Sequence, residues 1–467
     1  MVHSQEHFAW LLCYSWSALI SAFSLSVTSP GTLEIAKAAQ DKDGNIAFGL
    51  KWSNAIATMA TVGSLTLVVL APILGSLADY THHRKLFGTI SVCLVVVCCI
   101  PWFFPSEEIL GVLIVAGICS LVAYLSAYQF LRAPYLPELA ATPEDVNRLS
   151  GRGYLILFSS QVFFLGLLSV VGNLAGDDLF NALRIQTGVV VFFSIILLGV
   201  IIPRYGKRGP TSTLKPGESL GLVGFKSVWT TYRDMRDNYT QLKRFTFFTA
   251  CANASFNAAP ALATTFMVQL GSSPNEITGS LGAALVFGIL GPLLFTYLQK
   301  YKIHVRTILL FDLLFYCITI LIFPIIAPQG FAFIVVGGIM IGISSGVWLS
   351  SGQAFFAILV PGGQEATFTG MYIFANKILD WLPPLLFVII NQTTGSITFA
   401  MYGSVLIFVV TAAIVLFSID TGKAALEVKE SMSKRRVVKQ VELGCLPEKN
   451  ENDRSGIGLP SPAMDTA

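Results

Sequence analysis

The chain has 467 residues, of which 54% are hydrophobic and only 12% charged, with a formal net charge of +3. A water-soluble chain of this length carries about a quarter charged residues, so a soluble enzyme or nucleic-acid-binding domain is excluded. The apolar stretches run well past the length of a barrel strand, which makes this a helical integral membrane protein.

A window of about 19 residues predicts twelve spans. Six lie in a first bundle, residues 1–203, at 8–29, 53–77, 86–104, 109–131, 153–171 and 187–203. Six lie in a second, residues 245–420, at 245–269, 277–298, 307–326, 331–358, 369–390 and 396–419. Each is long enough for a hydrocarbon core of about 30 Å. The first lacks the basic leader of a cleavable signal peptide and is rich in aromatic residues.

The turn after the second span reads GSLADYTHHRKLF, Gly75 to Phe87, and places His82, His83, Arg84 and Lys85 between two apolar segments. With an even number of spans both termini share one side. That side receives 25 of the 30 Lys and Arg residues, against 4 on the other (Lys37, Lys42, Lys51 and Arg184), with Lys377 inside a span. Positive charge resists crossing, so the termini are expected in the cytosol.

Residues 204–244 separate the bundles and carry nine basic residues against Glu218, Asp234 and Asp237. The segment VGFKSVWTTYRDMRDNYTQLKRF is amphipathic and is expected to lie along the anionic inner leaflet, with docking of a partner as the sharper alternative. The tail, 421–467, is polar and rich in Pro and Gly and is expected to be disordered. Seven of the eight cysteines fall within spans and Cys445 in the tail, so no disulfide framework is implied. The sequons at Asn238, Asn253 and Asn391 read as chance.

The halves repeat. Ile73-Leu74-Gly75-Ser76-Leu77 matches Ile289-Leu290-Gly291-Pro292-Leu293 at an offset of 216, and Tyr154 matches Tyr372 at 218. Internal repeats in a polytopic chain point to a secondary transporter with its substrate site near the midplane between the halves.

Ionisable groups at bilayer depth suggest function by default. Lys377 and Asp380 lie near the midplane of the eleventh span, three residues apart on one helical face, within reach of a salt bridge. Two readings stand: a neutralised structural pair, or a carboxylate that titrates or pairs with substrate. Asp312 in the ninth span is expected to be structural. No Walker loop, metal-ligand cluster or Gly-x-Ser-x-Gly elbow is present. Neither enzyme chemistry nor a cofactor is therefore expected.

GSLADYTHHRK resembles the turn between the second and third spans of the major facilitator superfamily, a fold of twelve helices in two pseudo-symmetric six-helix halves. Gly75, Leu77, Ala78, Asp79, Arg84 and Lys85 fit its pattern, while His82 and His83 depart from it. The resemblance implies a conformational latch carried by Asp79, with Gly75 allowing close helix packing and Arg84 and Lys85 holding the cytosolic face; a plain topogenic turn is the alternative. LVPGGQEATFTGMYIFANKILDWLPPLLF, Leu359 to Phe387, resembles the autophagy-related vacuolar amino-acid effluxers (autophagy-related protein 22 type) and their bacterial relatives. LADY at 77–80, YLPELA at 135–140, SGRGY at 150–154 and LEIA at 33–36 also fit, although the first span lacks the acidic residue common there.

By superfamily analogy spans 1, 4, 7 and 10 line the cavity. Span 4 brings Tyr124, Tyr128 and Arg132 at four-residue spacing. Arg132 could clamp a carboxylate, but its place near the cytosolic edge predicts snorkelling. Span 7 brings Asn253 and Asn257, and span 10 Ser344, Ser345, Trp348, Ser351 and Gln353, which either bind a small polar solute or hold helices together. The resemblance implies amino-acid efflux from a vacuole or lysosome-like compartment by a monomer, with a proton as the candidate coupling ion. The alternatives are a carrier of sugars, nucleosides or drugs, and a transporter-shaped receptor or scaffold without flux.

Overall fold

The computed structural model describes residues 2–41, 45–46, 49–132, 135, 139, 143–176, 178–206, 214, 218–360, 365–420, 422–423 and 426–427. The expected disordered tail with Cys445, much of 207–217, and parts of the YLPELA and LVPGG stretches lie outside them. In the first half run α1 (Val2–Phe23), α2 (Ser29–Ala38), α3 (Ala55–Tyr80), α4 (Arg84–Cys98), α5 (Leu110–Leu131), α6 (Pro143–Leu174) and α7 (Leu179–Arg204). Next come α8 (Leu220–Asn238), α9 (Thr240–Gln269), α10 (Pro274–Gly288), α11 (Leu290–Lys300) and α12 (Val305–Ile326). The chain closes with α13 (Phe331–Leu359), α14 (Glu365–Ile378), α15 (Leu382–Thr394) and α16 (Ile397–Phe417). A two-residue hairpin pairs Asn45 with Lys51 and Ile46 with Leu50.

Among the described residues eleven helical stretches are long and apolar enough to cross a membrane. The twelfth expected span, 245–269, falls in α9, whose 30 residues reach about 45 Å. α9 is less apolar because it is packed on most sides by protein: Thr249, Ser255, Thr264 and Thr265 are all buried. The first span is longer than the 8–29 expected, since α1 and α2 are joined by a π-helical turn, Ser24–Thr28, just before Pro30.

Two expected spans are interrupted, and proline is the cause in both. Pro292 has no N–H for the Gly288 carbonyl, and α10 gives way to α11 at Ile289. Pro383 and Pro384 likewise leave Leu379 and Asp380 without their i+4 donors, so the expected helix 369–390 is two helices meeting at 379–381. The break is locally satisfied: Leu382 N–H bonds the Leu379 carbonyl at 3.0 Å, and Trp381 Nε1 donates to the Ile378 carbonyl at 2.9 Å.

Close backbone packing occurs away from the expected place. A Cβ on Gly75 would meet nothing within 4 Å, so that glycine is not a packing contact. The seam lies instead between α10–α11 and α13. A Cβ on Gly338 would come within 2.6 Å of the Ser280 carbonyl oxygen, on Gly342 within 2.1 Å of that of Ala284, and on Gly346 within 2.1 Å of that of Gly288. Small residues every fourth position let helices in lipid touch backbone to backbone. Gly342→Val is therefore expected to cost about 1–3 kcal/mol or more through overpacking. Its melting temperature in detergent should fall well below that of Gly199→Val, whose added side chain meets open space; equal melting of the two variants would contradict the seam.

The basic linker is a packed element. α8 sets Val223, Gly224 and Met235 inward, and a Cβ on Gly224 would strike the Pro72 carbonyl oxygen of α3 at 2.0 Å. Leu222, Phe225 and Trp229 remain exposed beside Lys226 and Arg233.

Candidate functional site

The break between α14 and α15 places an ion pair inside the second half. Lys377 Nζ lies 2.8 Å from Asp380 Oδ2, with side chains 39% and 9% exposed. Lys377 sits in the last turn of α14 and Asp380 just before α15. The partial negative charge of the first helix end and the partial positive charge of the second favour these signs. Asn257 of α9 donates from Nδ2 to both Asp380 oxygens at 3.1 Å. One turn earlier Asn253 accepts from Trp348 Nε1 at 3.0 Å. Trp348 stacks on Phe256, 5.5 Å between ring centres, and Phe256 on Tyr316 at 4.0 Å. Tyr372 stacks on Phe356 at 4.4 Å.

The first half contributes a cation among rings. Arg132 does not snorkel: it is 5% exposed. As the residue closing α5 it leaves the helix, and its guanidinium turns inward. The group lies 3.7 Å over the Tyr14 ring and 4.9 Å from that of Tyr128, and Nη1 donates to Ser17 Oγ at 3.2 Å. Tyr124 packs against Trp16 instead, 6.2 Å between centres.

Tyr154 of α6 joins the two groups. It packs edge-on to Tyr14 at 6.0 Å and lies near Gln353 of α13, Arg132 and Lys377. The structure thus brings together Lys377, Asp380 and Asn257 as one cluster, Asn253 with Trp348, and Tyr128 with Arg132, with Gln353 touching Tyr154 between the halves. Tyr14 and Tyr154 were not among the expected site residues. The signal for Tyr154 was present in its repeat match to Tyr372, and for Tyr14 in the polar-aromatic run Tyr14-Ser15-Trp16-Ser17.

The expected latch residues divide. Asp79 is exposed in the last turn of α3. Arg84 is 2% exposed, and its Nε donates to the Ala78 carbonyl at 3.0 Å, capping α3. Lys85 Nζ donates to the Tyr205 carbonyl at 2.7 Å, just past the end of α7. Asp312 is buried between α12 and α13, where Oδ1 accepts from Ser344 Oγ at 2.8 Å.

At the other end of the interface lies a clasp that sequence reasoning missed. Asn391 Nδ2 donates to Ser53 Oγ at 2.7 Å and Asn54 Oδ1 at 2.6 Å, while Asn54 Nδ2 donates to Gln392 Oε1 at 3.0 Å. Lys51 Nζ donates to the carbonyls of Asn391 at 2.8 Å and Gln392 at 3.3 Å, near the end of α15. Asn54 and Asn391 are 0% and 1% exposed. Asn275 at the start of α10 adds a bond to Asn173 Oδ1 near the end of α6, at 2.7 Å.

Residues 48–429 match the family model described as "Vacuole effluxer Atg22 like". The chain belongs to the Atg22-like family. An uncharacterized MFS-type transporter of Bacillus subtilis, YxiO, is 22% identical to this Atg22-like protein over 418 residues, covering 89% of the chain and 95% of the relative. Autophagy-related protein 22 of Kluyveromyces lactis is 27% identical over 119 residues, 23% of the chain and 24% of the relative. Among solved structures, the nucleoside transporter NupG superposes with a TM-score of 0.57 at 12% identity, covering 90% of the chain and 98% of NupG. A mutant of the peptide transporter POT superposes with a TM-score of 0.61 at 14% identity, covering 88% and 94%. The Atg22-like chain thus has the major facilitator fold, and it is a transporter of that type.

Proposed function

We propose that this Atg22-like protein moves small polar solutes, amino acids in particular, from a vacuole- or lysosome-like lumen to the cytosol by alternating access. The observation that carries the reading is the Asp380 carboxylate, held by Lys377 and Asn257 at a helix break, with Lys377 near Tyr154 of the first half. A carboxylate so placed can exchange its lysine for a substrate ammonium or a proton. Broken helices that present such groups at mid-depth are a recurrent way to build transporter sites. The charge bias supports cytosolic termini, which puts the Asn54–Asn391 clasp on the luminal side. The exposed apolar and basic residues of α8 suit the anionic inner leaflet.

The test is uptake into proteoliposomes of the purified chain, offered pooled labelled amino acids with and without an imposed pH gradient. Saturable amino-acid flux enhanced by the gradient is expected. Flux of nucleosides or sugars alone would favour the broader carrier reading, and no flux of any solute would favour a receptor or scaffold.

A further inference from the structure

Arg132 is a buried cation, and among the described residues no Asp or Glu lies within ion-pair distance of it. The titratable groups around it are Tyr14, Tyr124, Tyr128 and Cys13. Removing an ion from water costs several kcal/mol even after relaxation, of which ring faces return about 2 kcal/mol or more each in desolvated sites. The guanidinium is also under-used as a donor: Nη1 bonds Ser17 Oγ, while the buried Nε–H has no partner. A purely structural arginine at this depth would be expected to spend that donor on a carboxylate or a carbonyl.

Its position gives the open valence a direction. Tyr14, which the guanidinium covers, abuts Tyr154, and Tyr154 lies near Gln353 of the other half. When the halves part, Tyr154 and Gln353 separate, uncovering the rings beside Arg132. Lys377, paired with Asp380, also lies near Tyr154. We infer that Arg132, with Ser17 and Tyr128, forms an anion subsite that receives the carboxylate of the transported solute. Planar carboxylate and planar guanidinium match in a two-bond fork that lysine cannot reproduce. The inference rests on the amino-acid reading above and narrows it to substrates with a free carboxylate.

The experiment is ligand-induced thermal stabilisation of the full chain in lipid nanodiscs. The probes are the twenty L-amino acids, their methyl esters, the corresponding decarboxylated amines, and acetate, lactate and butyrate. Stabilisation by one or more free acids is expected, with none from the matching ester or amine. Arg132→Gln should raise the concentration for half-maximal stabilisation by about 10–100-fold, as expected for losing a charged hydrogen bond, with Arg132→Lys in between. Without ligand, Arg132→Gln should melt no lower than the parent, because it removes an unpaired buried charge. Equal stabilisation by acid and ester, which needs no variant, would overturn the subsite, as would undiminished binding by Arg132→Gln or no stabilisation by any carboxylate. Arg132-dependent binding of acetate, lactate or butyrate with no amino acid bound would keep the subsite and reject the amino-acid reading.

Discussion

Lys377→Met should lower the stability of the protein by about 1–3 kcal/mol. The figure is below the roughly 3–5 kcal/mol lost when one partner of a fully buried pair is removed, because Lys377 is 39% exposed and water screens it. Asp380, 9% exposed, would be left with only the amide of Asn257 to meet it. Adding Asp380→Leu should restore stability, since the double variant contains no unpaired charge at that depth. Transport should not return with it. If Asp380 takes a proton or an ammonium during the cycle, the double variant is a well-folded protein without flux. Asp380→Asn alone should be stable too, and should reduce amino-acid flux by about 100-fold or more, as expected for losing a charged partner of the substrate worth about 3 kcal/mol. Melting curves and vesicle flux on the same preparations separate the two effects. A stable double variant with full flux would take both residues out of the mechanism and leave a structural pair.

The second large effect is expected at the clasp. Asn54 and Asn391 are in direct hydrogen-bond contact at 2.6 Å and almost wholly buried. They belong to the helices that face each other across the interface at one membrane surface. In a background with the eight native cysteines replaced, Asn54→Cys with Asn391→Cys should cross-link on mild oxidation. Flux should then fall at least about tenfold and recover on reduction, because alternating access requires this end of the interface to open. Neither single variant should respond to oxidant. Full flux from protein shown by mass spectrometry to be cross-linked would mean that this end never opens.

The helices and their grouping were legible in the sequence because a lipid environment imposes length and apolarity on every span. α9 is the instructive exception: its Thr, Asn and Ser positions lower the hydropathy, yet the apolar residues between them still mark 245–269 as a span. Lys377 and Asp380 were visible for the converse reason, as charges where apolar residues belong. The helix break between them was written in Pro383-Pro384, but the segment 369–390 reads as one unbroken span by hydropathy alone. Arg132 was misjudged because position along a helix gives depth, not direction; which way the guanidinium turns depends on Tyr14 and Ser17, more than 100 residues away. The clasp was illegible for the same reason. Asn391 alone is an unremarkable amide, and its meaning comes from Ser53 and Asn54 on the opposite bundle.

The glycine seam also bears on how motion is carried. Where side chains separate two helices, rotamer changes let one slide over the other by small steps. Along Gly338, Gly342 and Gly346 there is no such cushion, because carbonyl and Cα atoms meet directly. α10 and α13 must therefore tilt together as one stiff plate. Gln353, which touches Tyr154, is near one end of that plate; Asn275, which holds Asn173, is near the other. Any displacement of Gln353 is then delivered at Asn275 by leverage alone, at the opposite end of the plate, without a relay of rearranging side chains between them.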